Sequence, residues 1–447
     1  MSFIEHCRRL VALDTTSSNG NRSAIDYLVG LAMDFGFTAE VQEESLHGLG
    51  QANIIIRQGD RPVQGELMLQ THLDTVNPGI YSKWTKTASN PFNASIYGRK
   101  LYGLGVADTK IDFLCKLFAA KKLAYKKLNR SFVLVGTYGA QSSMEGALKL
   151  IRKKKIEAVY ALIGEPTNLQ LISSGQGLAV IEIKIPFSDD EKKYRFQHNI
   201  EENSFSQSKI FSGKAAHSTA PHLGENAIIK MFKFLEKIPS GIVIMEMDGG
   251  VNYNSIPSSA YLEFDLLGTF SKSIVERISR IWKTVLQLEQ EFYSWKDESF
   301  VYPYPSLNIG QVRTTDDGVL ITGSCRLLPR IDKKTYQKWM TYLEDVCKEI
   351  GAEFKILNYK PSFSSDSESD FIKGCSEELA ALNRSNKLGK IVASTEASVF
   401  QRLGIECLVF GPGVSMGNSH EPNESVSLDD LEVATSFYSH ILERFCL

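Results

Sequence analysis

The chain lacks the features that define several protein classes. No stretch approaches the ~18 consecutive apolar residues that a membrane span requires. The opening Met1-Ser2-Phe3-Ile4-Glu5-His6 carries no long apolar run and no cleavage pattern, so neither a membrane association nor an export signal is expected. The formal net charge is only -2, which leaves no bulk electrostatic case for nucleic acid or an anionic membrane. The one short basic run, Arg152-Lys153-Lys154-Lys155, reads as the polar end of a helix. The seven cysteines are scattered, odd in number and without C-x-x-C spacing. That pattern excludes a disulfide framework and a thiolate zinc site, and it points to a reducing, cytoplasmic compartment. Any metal must then be held by histidines and carboxylates.

What is present is a soluble globular composition, 43% apolar and 23% charged. At 447 residues the chain is too long for one ordinary core, and two domains are expected. The first part has a βαβ rhythm. Apolar runs at Glu66–Thr71, Ser131–Thr137 and Ala158–Ile163 read as buried strands of a mostly parallel sheet, and helices or loops follow each. Each run ends in polar residues: Thr71-His72-Leu73-Asp74, the stretch Thr137-Tyr138-Gly139-Ala140-Gln141, and Gly164-Glu165-Pro166-Thr167. Open α/β sheets place ligands at those carboxyl ends. From about Gly177 the pattern changes to alternating strands and long amphipathic helices, with a polar surface loop expected from about Ser188 to Ser206. The α/β rhythm returns near Pro361. The expected architecture is an α/β domain over 1–176 and 361–447, with an α+β lid or dimerisation domain inserted over 177–360.

Several residues at these ends can carry chemistry. His72 and Asp74 are two apart on extended backbone and so point to one side. A carboxylate there can fix the tautomer of a metal-binding imidazole, although a strand-end His beside a capping Asp has the same pattern. Asp108 sits in a Gly-rich turn before a helix, where an N-cap is the ordinary alternative. Glu165 is a poor capping residue, which weakens its alternative as a mere turn residue. His420 lies in a polar loop after a buried strand, where a surface His is common.

The order of these segments decides between the readings. The motifs "THLDTV" at 71–76, "LYGLGVADTK" at 101–110, "IGEPT" at 163–167, "SGKAAHSTAPHLGENAI" at 212–228, "GGVNYNSIP" at 249–257, and "FGPG" at 410–413 leading to "SHEPNE" at 419–424 succeed one another along nearly the whole chain. The sequence thereby resembles the zinc-dependent amidohydrolases and exopeptidases that include acetylornithine deacetylase, succinyl-diaminopimelate desuccinylase, aminoacylase and related carboxypeptidases and dipeptidases. The resemblance implies a small N-acyl amino acid or peptide as substrate, and a co-catalytic pair of zinc ions bridged by Asp108. His72 and Glu165 would complete one ion. His420 and a Glu at the position of Gln141 would complete the other. Asp74 would orient His72. His217, from the inserted domain, would stabilise the oxyanion, which in family members happens across a homodimer interface. Asn254 and Arg326 match positions that contact substrate, and Arg326 suits a carboxylate.

One stretch departs from the pattern. Family members read approximately Asp-Glu-Glu-x-Gly-x-x-Gly-Ala, whereas this chain has Gly139-Ala140-Gln141-Ser142-Ser143-Met144-Glu145-Gly146-Ala147. Ala140 stands where the general base would be, and Gln141 stands where a charged ligand would be. One zinc at His72, Asp108 and Glu165 is expected, with the second site weakened. Glu145 begins the next helix, is expected to point away, and reads as a solvated first-turn carboxylate. Three accounts fit: a member that has lost hydrolysis and binds a ligand or partner, an active hydrolase of altered mechanism, or a deliberate replacement of both glutamates.

Overall fold

A computed structural model describes residues 1–46, 48–59, 65–197, 206–238, 242–265 and 273–447. These residues form two compact units: 1–175 with 363–391 and 395–447, and 176–362 with 392–394.

The first unit is built on a nine-stranded mixed sheet. Glu66–His72 lies at its centre and pairs in parallel with Phe132–Thr137 on one side and Ala158–Gly164 on the other. Glu406–Val409 extends the parallel block beside Ala158–Gly164. An antiparallel hairpin, Thr38–Leu46 with Leu49–Arg57, closes one side through Phe132–Thr137. Ile172–Gly175, Phe363–Ser364 and Gly389–Ile391 close the other.

The central strands are apolar without a polar alternation because both of their faces are covered. Leu67, Leu69, Ile54 and Ile56 belong to one core, which holds the helices Phe3–Val11, Arg22–Asp34, Lys110–Lys121 and Leu428–Cys446. Met68, Ile55, Val133 and Val135 turn to the opposite core with Leu150 of the helix Glu145–Arg152. The period-2 geometry of a strand sorts consecutive apolar residues between the two. Lys116 is fully buried below the central strand, where its Nζ donates to the Gln70 carbonyl at 2.6 Å and pairs with Asp112 at 2.7 Å. A buried charge of this kind persists only when paired and hydrogen-bonded.

The second unit is a seven-stranded sheet whose pairings are all antiparallel, in the order Gln207–Ser212, Ser259–Asp265, Val243–Gly249, Ser306–Thr315, Gly318–Leu327, Gly177–Pro186, Glu353–Lys360. The helices Ala227–Leu235, Ile274–Phe292 and Lys333–Glu349 share one core with this sheet, centred on Met231, Trp282 and Trp339. Three helix starts carry the side-chain caps that such sequences favour, at Asn226, Ser273 and Asp332.

Part of one expected loop, Ser188–Ser206, is helix. Asp189–Gln197 is helical, and its anchor is Glu191 rather than an apolar stripe. The buried Glu191 carboxylate accepts from the backbone N–H of Ser188 and Ile274 and pairs with Arg277 at 3.1 Å. Residues 198–205 of that expected loop lie outside the described residues. All seven cysteines are buried and free. No helix among the described residues is long and apolar enough to cross a membrane.

Candidate metal centre

The carboxyl ends of the parallel strands present the charged groups. His72 closes Glu66–His72, and Glu165 follows Ala158–Gly164 directly. Asp108 precedes the helix Lys110–Lys121. One ligand atom from each of His72, Asp108 and Glu165 can be chosen so that all lie within 4.8 Å of one another, and no other such group of His, Cys, Asp and Glu occurs among the described residues.

His72 is buried and held at both ring nitrogens. Its Nε2 lies 3.0 Å from Asp108 Oδ1, and its Nδ1 lies 3.1 Å from the backbone carbonyl of Asp74. The Asp74 carboxylate is farther, 3.6 Å from Nδ1. That carboxylate is engaged elsewhere, accepting from the backbone N–H of Ala140 at 3.2 Å and of Gln141 at 3.0 Å. Asp74 thus joins the histidine to the turn after Phe132–Thr137. A carbonyl acceptor at Nδ1 fixes the tautomer that leaves Nε2 as a ligand atom.

Asp108 collects four groups. Its Oδ1 faces His72, and its Oδ2 faces His420 Nε2 at 2.7 Å and accepts from Gln141 Nε2 at 3.4 Å. Glu424 supports it from behind, accepting from the backbone N–H of Gly105, Ala107 and Asp108 at 3.1, 2.8 and 3.0 Å. Thr109 donates its hydroxyl to the His72 carbonyl. The His72, Asp108 and Glu165 donors and the Asp108, Gln141 and His420 set therefore meet at Asp108. Gln141 is turned to it as a hydrogen-bond donor rather than as a ligand.

The electrostatics follow from this packing. Burial opposes charge on both His72 and Asp108, but the pair overcomes it. His72 is raised well above its ordinary value by Asp108 and Asp74, and Asp108 is held far below its own by His420 and His72. His420 is raised chiefly by its hydrogen bond to Asp108. Both histidines are thus drawn toward protonation by the carboxylates around them, and a metal ion would displace those protons.

Glu145 does not point away. It turns back over Gly139, where a Cβ would collide with its carboxylate, and accepts hydrogen bonds from Ser142 and Ser143. With Asp74, Gln141 and Tyr138 it lines a cavity of about 410 Å³. Ala140 contributes no ionisable group to the turn.

The second unit gathers the remaining residues. His217 lies exposed in a two-residue ribbon with Ser255, its Nδ1 2.8 Å from Thr219 Oγ1. Partial desolvation and the charge of Arg326 lower its pKa. Arg326 is buried, and its guanidinium donates to Ser218 Oγ at 3.3 and 3.2 Å and to Asn254 Oδ1 at 3.0 Å. Burial pushes its pKa down to about 10. No carboxylate pairs with it among the described residues, so a buried cation stands among neutral groups.

Two further carboxylates support the first unit's site. Glu424 ends the "SHEPNE" motif, and Glu396 lies in Ser394-Thr395-Glu396-Ala397. Buried Glu396 accepts from Gln70 Nε2 and from Thr137 Oγ1 at 2.6 Å, beneath the two strand ends. A Glu four residues after the loop histidine is the available signal for the first; nothing marks the second.

An α/β sheet that brings a His/Asp/Glu cluster to the ends of its parallel strands has the build of a metal-dependent hydrolase. The chain belongs to peptidase family M20/M25/M40, whose model matches residues 68–444. It is 24% identical over 462 residues to acetylornithine deacetylase of Yersinia pseudotuberculosis serotype O:1b (strain IP 31758), covering 99% of this chain and 97% of the relative. Among solved structures it is similar to aminoacylhistidine dipeptidase from Vibrio alginolyticus (TM-score 0.68, 17% identity, 99% of this chain and 96% of that one). It is also similar to the M20 family metallo-carboxypeptidase Sso-CP2 from Sulfolobus solfataricus (TM-score 0.62, 16% identity, 100% and 99%). At these identities the structures establish the fold.

Proposed function

We propose that this M20-family hydrolase holds one zinc ion at His72, Asp108 and Glu165, and takes a small N-acyl amino acid or dipeptide-like amide. Hydrolysis is impaired because Ala140 and Gln141 replace a glutamate pair. The observation that carries this reading is the convergence of those three donor groups within 4.8 Å while the turn at 139–143 adds no carboxylate. One imidazole nitrogen with two carboxylate oxygens is a donor set that suits zinc, and the Asp74 carbonyl holds the imidazole in the binding tautomer. A bound ion supplies Lewis-acid polarisation of the amide carbonyl and of water.

The chain's own groups limit the reaction. The Ala140 methyl cannot accept a proton from water, and general-base catalysis is worth roughly 10²–10⁴ in rate. Gln141 keeps the shape of a glutamate without its charge, so the Asp108, Gln141 and His420 set binds a second ion weakly. Glu145 is tied by two hydroxyls and is poorly placed to act as a base. In the second unit, Arg326 is assigned the ligand's carboxylate, Asn254 orients it, and His217 is assigned the developing oxyanion. The curated relatives named acetylornithine deacetylase support the N-acyl amino acid class. We also assign a cytoplasmic location, which the seven buried free thiols support, and a homodimer through the second unit.

A second reading starts from the same missing base: a non-catalytic member that binds its ligand and forms no product. Metal analysis of the purified chain and assays against N-acyl amino acids and dipeptides separate the two. We expect one zinc per chain, slow turnover, and a gain of about 10²-fold or more in the double variant Ala140→Glu, Gln141→Glu. Binding without product in the parent chain favours the second reading. No gain in the double variant sinks the impaired-hydrolase account, and two tightly bound zinc ions sink the one-ion account.

A further inference from the structure

The second unit contains a small cavity, about 240 Å³, to which the proposed hydrolase chemistry assigns nothing. Its walls come from the end of the helix Ile274–Phe292, from the segment that enters the strand Ser306–Thr315, and from the stretch 221–229 with Ile256. Glu289 and Tyr293 are four residues apart at the end of that helix, so one face presents both. Tyr302 and Tyr304 flank Pro303 in the incoming segment, and both line the cavity. The Tyr293 and Tyr304 ring centroids lie 4.9 Å apart with planes at 74°, and those of Tyr302 and Tyr304 lie 5.8 Å apart, also at 74°. Rings at such angles form the walls of a box instead of a stack. His222 lies parallel to Tyr302, 5.7 Å away, and backs that wall.

The box is negative in character. Aromatic faces carry the negative part of the ring quadrupole. The fourth wall is Glu289, which makes no ion pair among the described residues. Burial raises its pKa, and the nearby Lys233 offsets this only in part. All four groups line the one cavity, and the Tyr302 hydroxyl is pushed up to about 12 by burial, then by Tyr293, Glu289 and Tyr304. A half-desolvated carboxylate without a partner is costly, and a cation in the box would offset that cost. A strongly hydrated metal ion or primary ammonium needs several acceptors to replace its water, and Glu289 is the only carboxylate in the lining. A fully alkylated ammonium needs none and is attracted by the ring faces. The volume lies below the roughly 300–1,000 Å³ of drug-sized sites, which fits a headgroup.

We propose that the cavity bounded by Tyr293, Tyr302, Tyr304 and Glu289 is an aromatic cage that binds a small quaternary ammonium headgroup. It is independent of the metal centre and of the hydrolase reading.

The test is calorimetric titration of the full chain with choline and with 3,3-dimethyl-1-butanol, its neutral carbon isostere. Saturable choline binding is expected, with the isostere about tenfold weaker or more, since the cation–π contribution is lost with the charge. Tyr293→Leu and Glu289→Gln should each weaken choline binding by about tenfold. Tyr293 is 62% exposed, so its replacement leaves the core intact, and an unchanged melting temperature verifies this. The proposal is overturned by the absence of saturable choline binding. Equal affinity for the isostere overturns it too, as does wild-type affinity in both folded variants.

Discussion

Ala140 and Gln141 alter the centre in different ways. The backbone N–H groups of both residues still bond to Asp74, so the turn keeps its connection to His72. Neither side chain adds a carboxylate to the turn. Glu396 is a carboxylate buried deep beneath the site. Burial raises it from 4.5 to about 7, against the hydrogen bonds from Thr137 and Gln70. The sign of the resulting pH dependence is fixed. Between those two values the unfolded chain has lost the proton and the folded chain keeps it, so folding takes up a proton and stability falls as pH rises. Glu396→Gln cannot ionise and keeps an oxygen that accepts from Thr137. Its melting temperature should therefore gain on the parent's steadily from about pH 4.5 to about pH 7, with the increment present above that range. A constant difference across the range would show that Glu396 does not titrate there.

At the scale of elements, the centre is a set of strand ends locked by loops from the far end of the chain. The 103–108 loop is the clearest case. Glu424, 316 residues away from Asp108, ties down three of its backbone N–H groups with one carboxylate. Glu424→Ala leaves those donors unpaired and frees Asp108 to shift, so zinc affinity measured by chelator competition should drop about 10–100-fold. Unchanged affinity would mean that the loop holds Asp108 without Glu424. The strand ends themselves can be read from sequence, because a run such as Leu67-Met68-Leu69 that breaks into Thr71-His72-Leu73-Asp74 has few other uses. Glu424 and Glu396 cannot be read in the same way. Their partners are 316 and 326 residues distant, and local pattern carries no trace of such pairings. The helix Asp189–Gln197 is hidden for a related reason. Its sequence DDEKKYRFQ has no apolar face, and its anchor, the Glu191 contacts with Ile274 and Arg277, is tertiary. The orientation of Glu145 runs against expectation because a first-turn glutamate ordinarily faces solvent, whereas here Ser142, Ser143 and the absent side chain of Gly139 draw it inward.

At the scale of the whole molecule, the chain leaves one sheet, builds another and comes back. Gly175 pairs with Phe363 in the first sheet, and Leu178 pairs with Lys360 in the second. The ends of the 176–362 segment are therefore held side by side by its own strands. The segment also has its own apolar core, from Ile181 to Ala352, and an antiparallel sheet whose hairpin Ser306–Thr315 with Gly318–Leu327 is strictly local. A segment of this size with its own core and adjoining ends meets the requirements of an independent folding unit. Expressed alone, residues 176–362 should therefore unfold in a single cooperative transition. Tryptophan emission supplies a direct readout, since Trp282, Trp295 and Trp339 lie in this segment and only Trp84 lies outside it. Emission and far-ultraviolet circular dichroism of the fragment should give the same midpoint, as a two-state domain requires. In the full chain the emission change should follow the fragment's transition, while dichroism also reports the first unit. A fragment that shows no cooperative transition would mean that this core is not sufficient by itself, despite Trp282 and Trp339 being almost completely shielded from solvent within it.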